Sequence, residues 1–231
     1  MDSLIRKFAC VFLFALCFWA SAALAGPPLI CHAFDIGNAK SLPWISHDWN
    51  LTGSENYDVH QLVGDTVTLL DNDSTVLVHM ETLRRATLYA QKDATVAKQL
   101  LLILMARSNA AANTPKAALA SFDLGYLAAT FQQYAWISKS GNNPAQNFDG
   151  YTLIKKAIQV RGNDPQMEFA AALVTLNAPA SEQHQYAQKA FAGSESDPLL
   201  ARNLAARFHG PQSETMLDLI GANSNAKVAQ R

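Results

Sequence analysis

Apolar positions in this chain recur every three or four residues over most of its length, and that period predicts helices rather than the strict alternation of strands. The stretch 74–138 carries it most clearly. Val76, Met80, Leu83, Thr87 and Ala90 fall on one stripe of a first helix. Lys92 and Asp93 then break the pattern, and the Asp carboxylate is a ready N-cap for a second helix. Residues 100–106 are apolar on every side, which predicts that this second helix is the central one, buried all round. Asn113, Thr114 and Pro115 supply a polar cap and a proline at a first helical position. A third helix follows to Ser138, carrying Leu119, Phe122, Tyr126, Ala129 and Trp136.

On the N-terminal side, Val59, Leu62, Val63, Val67 and Leu70 predict a helix or half-helix over 57–70, interrupted at Gly64 and Asp65. On the C-terminal side, helices are predicted over 151–160, 166–176, 183–192, 199–208 and 213–220, separated by glycine, proline and capping residues. Residues 222–231 read as a disordered polar tail. The expected class is all-α, roughly eight helices stacked as antiparallel hairpins in an irregular bundle or a degenerate helical-repeat array. The helix starts at Asp164 and Asp197 lie about 33 residues apart, near the tetratricopeptide period. The Trp, Leu-Gly and Tyr positions of that repeat have no counterparts here.

One segment breaks the helical rule. Residues 26–56 hold Pro27, Pro28 and Pro43 and few helix signals, yet carry Leu29, Ile30, Phe34, Ile36, Leu42, Trp44, Ile45 and Trp49. A stretch this apolar is no disordered linker. It is expected to dock as an irregular strap across 74–90 and 114–138, anchored by Trp44 and Trp49, at the front of a single α-helical domain spanning 26–221.

The first 25 residues change the picture of where the protein works. Arg6 and Lys7, an apolar run, and small residues ending at Ala25 form the pattern of a cleaved secretory signal peptide. The protein is therefore expected to be exported, periplasmic or extracellular, and free of the membrane once cleaved. Loss of Arg6, Lys7 and Asp2 leaves a net charge of about −2, with no clustered basic face of the kind nucleic acid needs. Cys10 and Cys17 leave with the signal, so Cys31 is the one remaining thiol and no internal disulfide can form.

Candidate chemistry is sparse. Cys31, His32, Asp35, His47 and Asp48 bring nucleophile and ligand types together, as a thiolate–imidazole pair or a metal site would. Adjacent Cys31 and His32 tend to point apart, and no Cys-x-x-Cys or His-Glu-x-x-His spacing is present. Arg84 and Arg85 could bind an anion or pair with Glu81, three and four residues earlier. His32, Asp35, His47, Asp48, Arg84 and Arg85 form the expected binding set. No cofactor or metal is expected. The functional reading is an exported α-helical scaffold that presents a surface to a peptide or protein partner. A small thiol- or metal-dependent enzyme using Cys31, His32 and His47 is the alternative.

Overall fold

The computed structural model describes residues 29–45, 51, 53–72, 74–139, 143–174 and 179–207. The signal peptide expected at 1–25, His47, Asp48, Trp49, the helix predicted at 213–220 and the tail expected at 222–231 lie outside the described residues. Eight α-helices occur among those described: α1 (Leu62–Asp71), α2 (Val76–Ala90), α3 (Ala94–Ala111), α4 (Ala117–Ser138), α5 (Gly150–Arg161), α6 (Pro165–Leu173), α7 (Ala180–Gly193) and α8 (Pro198–Arg207). Short 3-10 turns precede α1 at Val59–Gln61 and α8 at Ser194–Ser196. No strand occurs among the described residues. The fold is an irregular all-α bundle, built on α2–α4, α3–α4, α4–α5 and α6–α7 packing.

Aspartate side chains cap four of the eight described helices: Asp93, Asp164, Asp197 and, at the start of α5, Asp149, which accepts from Thr152 N–H at 2.9 Å. Asp93 accepts from the Thr95 and Val96 N–H groups at 2.7 and 3.2 Å, Asp164 from Gln166 and Met167 at 3.0 and 3.1 Å, and Asp197 from Leu199 and Leu200 at 3.1 and 3.0 Å. Each carboxylate satisfies backbone donors that have no partner within the helix. Thr114 and Pro115 do not open α4 as expected. They lie in a turn in which Thr114 Oγ1 accepts from Lys116 N–H, and the helix begins at Ala117.

The central helix is α2 and not the all-apolar run in α3. Every residue of α2 except Arg85 is buried, including His79, Glu81, Thr82, Arg84 and Thr87. In α3, burial follows the stripe Val96, Ala97, Leu100, Leu101 and Leu104, while Leu102 and Ile103 are 47% and 37% exposed. The physical reason is that α2 lies between the strap, α1 and α4, and its polar side chains find partners there. The α3 helix has neighbours on one side only.

Close backbone approach joins α4 to α5. A Cβ on Gly125 would stand 2.8 Å from Leu153 Cβ and 2.9 Å from the Gly150 carbonyl oxygen, so only hydrogen fits there. Of the aromatics in 122–136, Phe122, Tyr126 and Phe131 belong to the core, whereas Trp136 is exposed.

Residues 29–45 form no helix and lie across the bundle as an irregular strap with turns at 29–30 and 37–38. Leu29, Ile30, Cys31, Phe34 and Leu42 join the core, and Trp44 packs partly against it. Ile45, one of the apolar residues of this segment, is 71% exposed.

Candidate functional site

The strap is held by a buried carboxylate. Glu81, fully buried on α2, accepts from Phe34 N–H at 2.9 Å, from Arg84 Nε and Nη2 at 2.8 and 2.9 Å, and from Arg85 Nε at 2.6 Å. The two arginines extend the hold to backbone carbonyls. Arg84 Nη1 donates to Ile30 at 3.0 Å and Arg85 Nη1 to Leu42 at 2.5 Å. Burial would raise the Glu81 pKa, but the hydrogen bond from Arg84, the charges of Arg84 and Arg85 and the Phe34 N–H outweigh it and hold the carboxyl below its ordinary range. The indole of Trp44 lies under the Arg84 guanidinium, 4.9 Å from carbon to ring centre, and meets Tyr89 edge-on.

Further bonds fasten the same segment to three helices. Leu29 N–H donates to Gln133 on α4, and Ser41 Oγ lies 3.0 Å from Thr82 Oγ1 on α2. Asp35 is tied to α8. Its N–H donates to Asn203 Oδ1, its carbonyl accepts from Asn203 Nδ2, and its carboxylate accepts from Arg202 Nε at 2.7 Å. Arg202 holds the Asp35 carboxyl below its ordinary range, helped by the Gly37 N–H. Arg207 donates to the His32 carbonyl and stacks over Phe34 at 4.2 Å. Burial pushes Arg207 down to about 10.

The residues expected to form a binding set are thus partly assembled and mostly engaged. Arg84 and Arg85 come together on Glu81, where they serve the strap as a structural clamp. His32 lies beside them, half-buried, and burial lowers its pKa, with Arg207 and Arg84 acting in the same direction. Asp35 faces α8 instead. His47 and Asp48 lie outside the described residues. The Cys31 thiol is buried, and that burial raises its pKa and keeps it protonated against the pull of Arg207 and Arg84. Among the described residues no group of His, Cys, Asp and Glu side chains has the arrangement of a metal site.

Two features escaped the sequence reading. His79 Nδ1 lies 2.8 Å from Asp123 Oδ1 across the α2–α4 contact. This resembles the base and orienting acid of hydrolases, but His79 is 0% exposed and no substrate reaches it. Among the described residues its Nε2 has no hydrogen-bond partner, and neither has the buried Tyr126 hydroxyl. Burial, the largest influence, pushes the Tyr126 pKa upward. The pairing of His79 with Asp123 depends on which faces of α2 and α4 meet, and no local pattern encodes that.

The second feature is an open groove at the α2–α3 turn. Ala90, Gln91, Ala94, Ala97, Lys98, Asn143 and Pro144 enclose a cavity of about 420 Å³. Three alanines leave room for a close approach, while Gln91, Asn143 and Lys98 bring polar groups to the wall. Gln91 Nε2 donates to the Thr87 carbonyl and Asn143 Oδ1 accepts from Ala145 N–H, so the Gln91 side-chain oxygen and the Asn143 amide nitrogen are not used in those bonds. Compared with known proteins, the chain matches no family model, no curated protein and no solved structure.

Proposed function

We propose that this protein is an exported α-helical binding protein whose bundle presents the α2–α3 groove to a peptide or protein partner. One observation carries the reading. The described members of the sequence-derived site are engaged in holding the strap, through side chains at Asp35, Arg84 and Arg85 and through the carbonyl of His32. The groove, by contrast, is open and has spare bonding capacity. Its size falls in the range of pockets that take a small ligand or a few residues of chain. A buried, protonated Cys31 argues against thiolate chemistry in the strap.

Export rests on the pattern of 1–25. No helix of the described residues is long and apolar enough to cross a membrane. N-terminal sequencing of protein recovered from a secreting host is expected to begin at Gly26, and a membrane-bound product retaining 8–19 rejects cleavage after Ala25.

Binding is tested by titrating nitrogen-labelled protein with a mixture of unstructured peptides and following backbone amide resonances. Saturable shifts centred on Gln91, Ala94, Ala97, Lys98 and Asn143 are the expected result. Saturable shifts confined to another face, or none at all, reject the groove as the presented surface.

A further inference from the structure

The wall of the groove is electrically one-sided. Lys98 is the one ionisable side chain among the described lining residues, and it is exposed. Lys92 lies at the same turn, its ammonium 5.5 Å from the centre of the Tyr89 ring. The nearby acid is Asp93, whose carboxylate is turned into the first turn of α3 by its bonds to Thr95 and Val96 N–H. A ligand entering here meets positive charge that no carboxylate of the lining offsets. It also meets Ala90, Ala94 and Ala97, whose small side chains leave room for the approach of a polypeptide backbone. The Gln91 carbonyl oxygen is an acceptor and the Asn143 amide nitrogen a donor, the two complements an extended backbone requires.

We infer that the groove takes an extended acidic peptide segment. A carboxylate of the segment meets Lys98, small side chains lie over the three alanines, and its main chain pairs with Gln91 and Asn143. The inference rests on the binding-protein reading and names its partner class. Charge complementarity selects the occupant: a basic segment is repelled by Lys98, and a neutral one leaves its charge unused.

The test uses fluorescein-labelled decapeptides in which alanine alternates with glutamate, glutamine or lysine, titrated by fluorescence anisotropy at low salt. Ala94 and Lys98 are exposed, so Lys98→Glu and Ala94→Trp leave the core untouched, and circular dichroism checks that both fold. The glutamate peptide is expected to bind about tenfold tighter than the glutamine peptide, a difference in the range of one charged hydrogen bond. Lys98→Glu is expected to reverse the order in favour of the lysine peptide. Ala94→Trp is expected to weaken the glutamate peptide about tenfold by filling the groove. Equal affinity for the glutamate and glutamine peptides overturns the acidic partner. If Ala94→Trp then weakens both, the groove still binds peptide and the broader reading stands. A glutamate preference that survives Lys98→Glu overturns the assigned contact. Failure of all the peptides to bind overturns the inference, and the resonance mapping described above then decides the broader reading separately.

Discussion

Replacing Glu81 by glutamine keeps the shape of the side chain and removes its charge, which isolates what the buried carboxylate does. Both oxygens are occupied: Oε1 by Arg84 Nη2 and Arg85 Nε, and Oε2 by Arg84 Nε and the Phe34 N–H. An amide turns one oxygen into a donor facing donors, whichever way it flips. Arg84, 1% exposed, is left as a buried charge without its counter-ion. Cutting one partner from a buried pair costs about 3–5 kcal/mol, because the stranded charge stays desolvated. For a chain of this size each kcal/mol moves the melting temperature by about 2–4 °C, so Glu81→Gln is expected to lower it by about 6–20 °C.

The strap should loosen before the bundle melts. Phe34, Ile30 and Leu42 are each fastened through Glu81 or its two arginines, so all of these anchors weaken together. Lys40 is exposed on the strap and offers trypsin a cleavage site whose rate reports this opening. The assay pairs differential scanning calorimetry with timed tryptic cleavage at Lys40, read by mass spectrometry. A loss below about 1 kcal/mol, the scale of one ordinary hydrogen bond, together with unchanged cleavage, would refute the claim that Glu81 organises the strap.

Other substitutions probe the packing around it. Trp44→Ala removes a half-buried indole, its stack under Arg84 and its edge contact with Tyr89, and should cost about 1–3 kcal/mol in chemical denaturation, less than a fully buried tryptophan would. Leu102→Ser should change stability by no more than about 0.5 kcal/mol, whereas Leu104→Ala, one stripe round the same helix, should cost about 2–5 kcal/mol. Losses of about 2–5 kcal/mol at both positions would restore α3 as a helix buried all round. Gly125→Ala pushes a methyl into Leu153 and the Gly150 carbonyl and should cost about 1–3 kcal/mol in the same assay, with α4 and α5 forced apart.

The helices were legible because their signals are local. Asp93, Asp164 and Asp197 cap within three residues of themselves, and the spacing of apolar residues in 76–90 or 151–160 needs no knowledge of what lies opposite. The position of Thr114 and Pro115 shows the limit of such signals, since a polar residue before a proline also builds a turn. The centre of the bundle was not legible. Hydrophobicity pointed to 100–106, but α2 tolerates full burial of His79, Glu81, Arg84 and Thr87 because Asp123, Phe34, Ile30 and Thr130 reach them from far along the chain. The Glu81, Arg84 and Arg85 spacing predicted ion pairs, but not that one carboxylate would serve both arginines and the strap while out of water. The groove left no trace in the sequence, because its lining comes from the ends of two helices and a distant loop.

That dependence on charge sets how the strap should come loose. Cys31 is the one free cysteine of the described residues, and the sequence beyond residue 25 contains no other, so with the proposed removal of residues 1–25 no internal disulfide can secure the strap. Reductant should leave it in place. Added salt should do little, because buried pairs are poorly screened. Acid should release it, and the sign follows from the shifts. Glu81 and Asp35 titrate lower in the folded protein than in the unfolded chain, so the stability they contribute is complete above the ordinary carboxylate value, about 4. It is lost as pH falls below that value and through the folded one. His32 is also lowered by folding, so protonation favours the unfolded chain and a separate, smaller decline should begin as pH falls through about 6.5, the ordinary histidine value. Because His32 is half exposed, that first step is shallow. Cleavage at Lys40 by an acid-tolerant lysine-specific protease, measured from pH 8 to pH 3 in wild type, His32→Gln and Glu81→Gln, separates the two. The wild type should show the shallow step and then the steep one. His32→Gln should lose the first, and Glu81→Gln should open at all pH values with the carboxylate step diminished. A strap that stays protected to pH 3 would mean that packing of Leu29, Phe34 and Leu42, and not the Glu81 clamp, holds it down, and one freed by reductant alone would mean that a disulfide does.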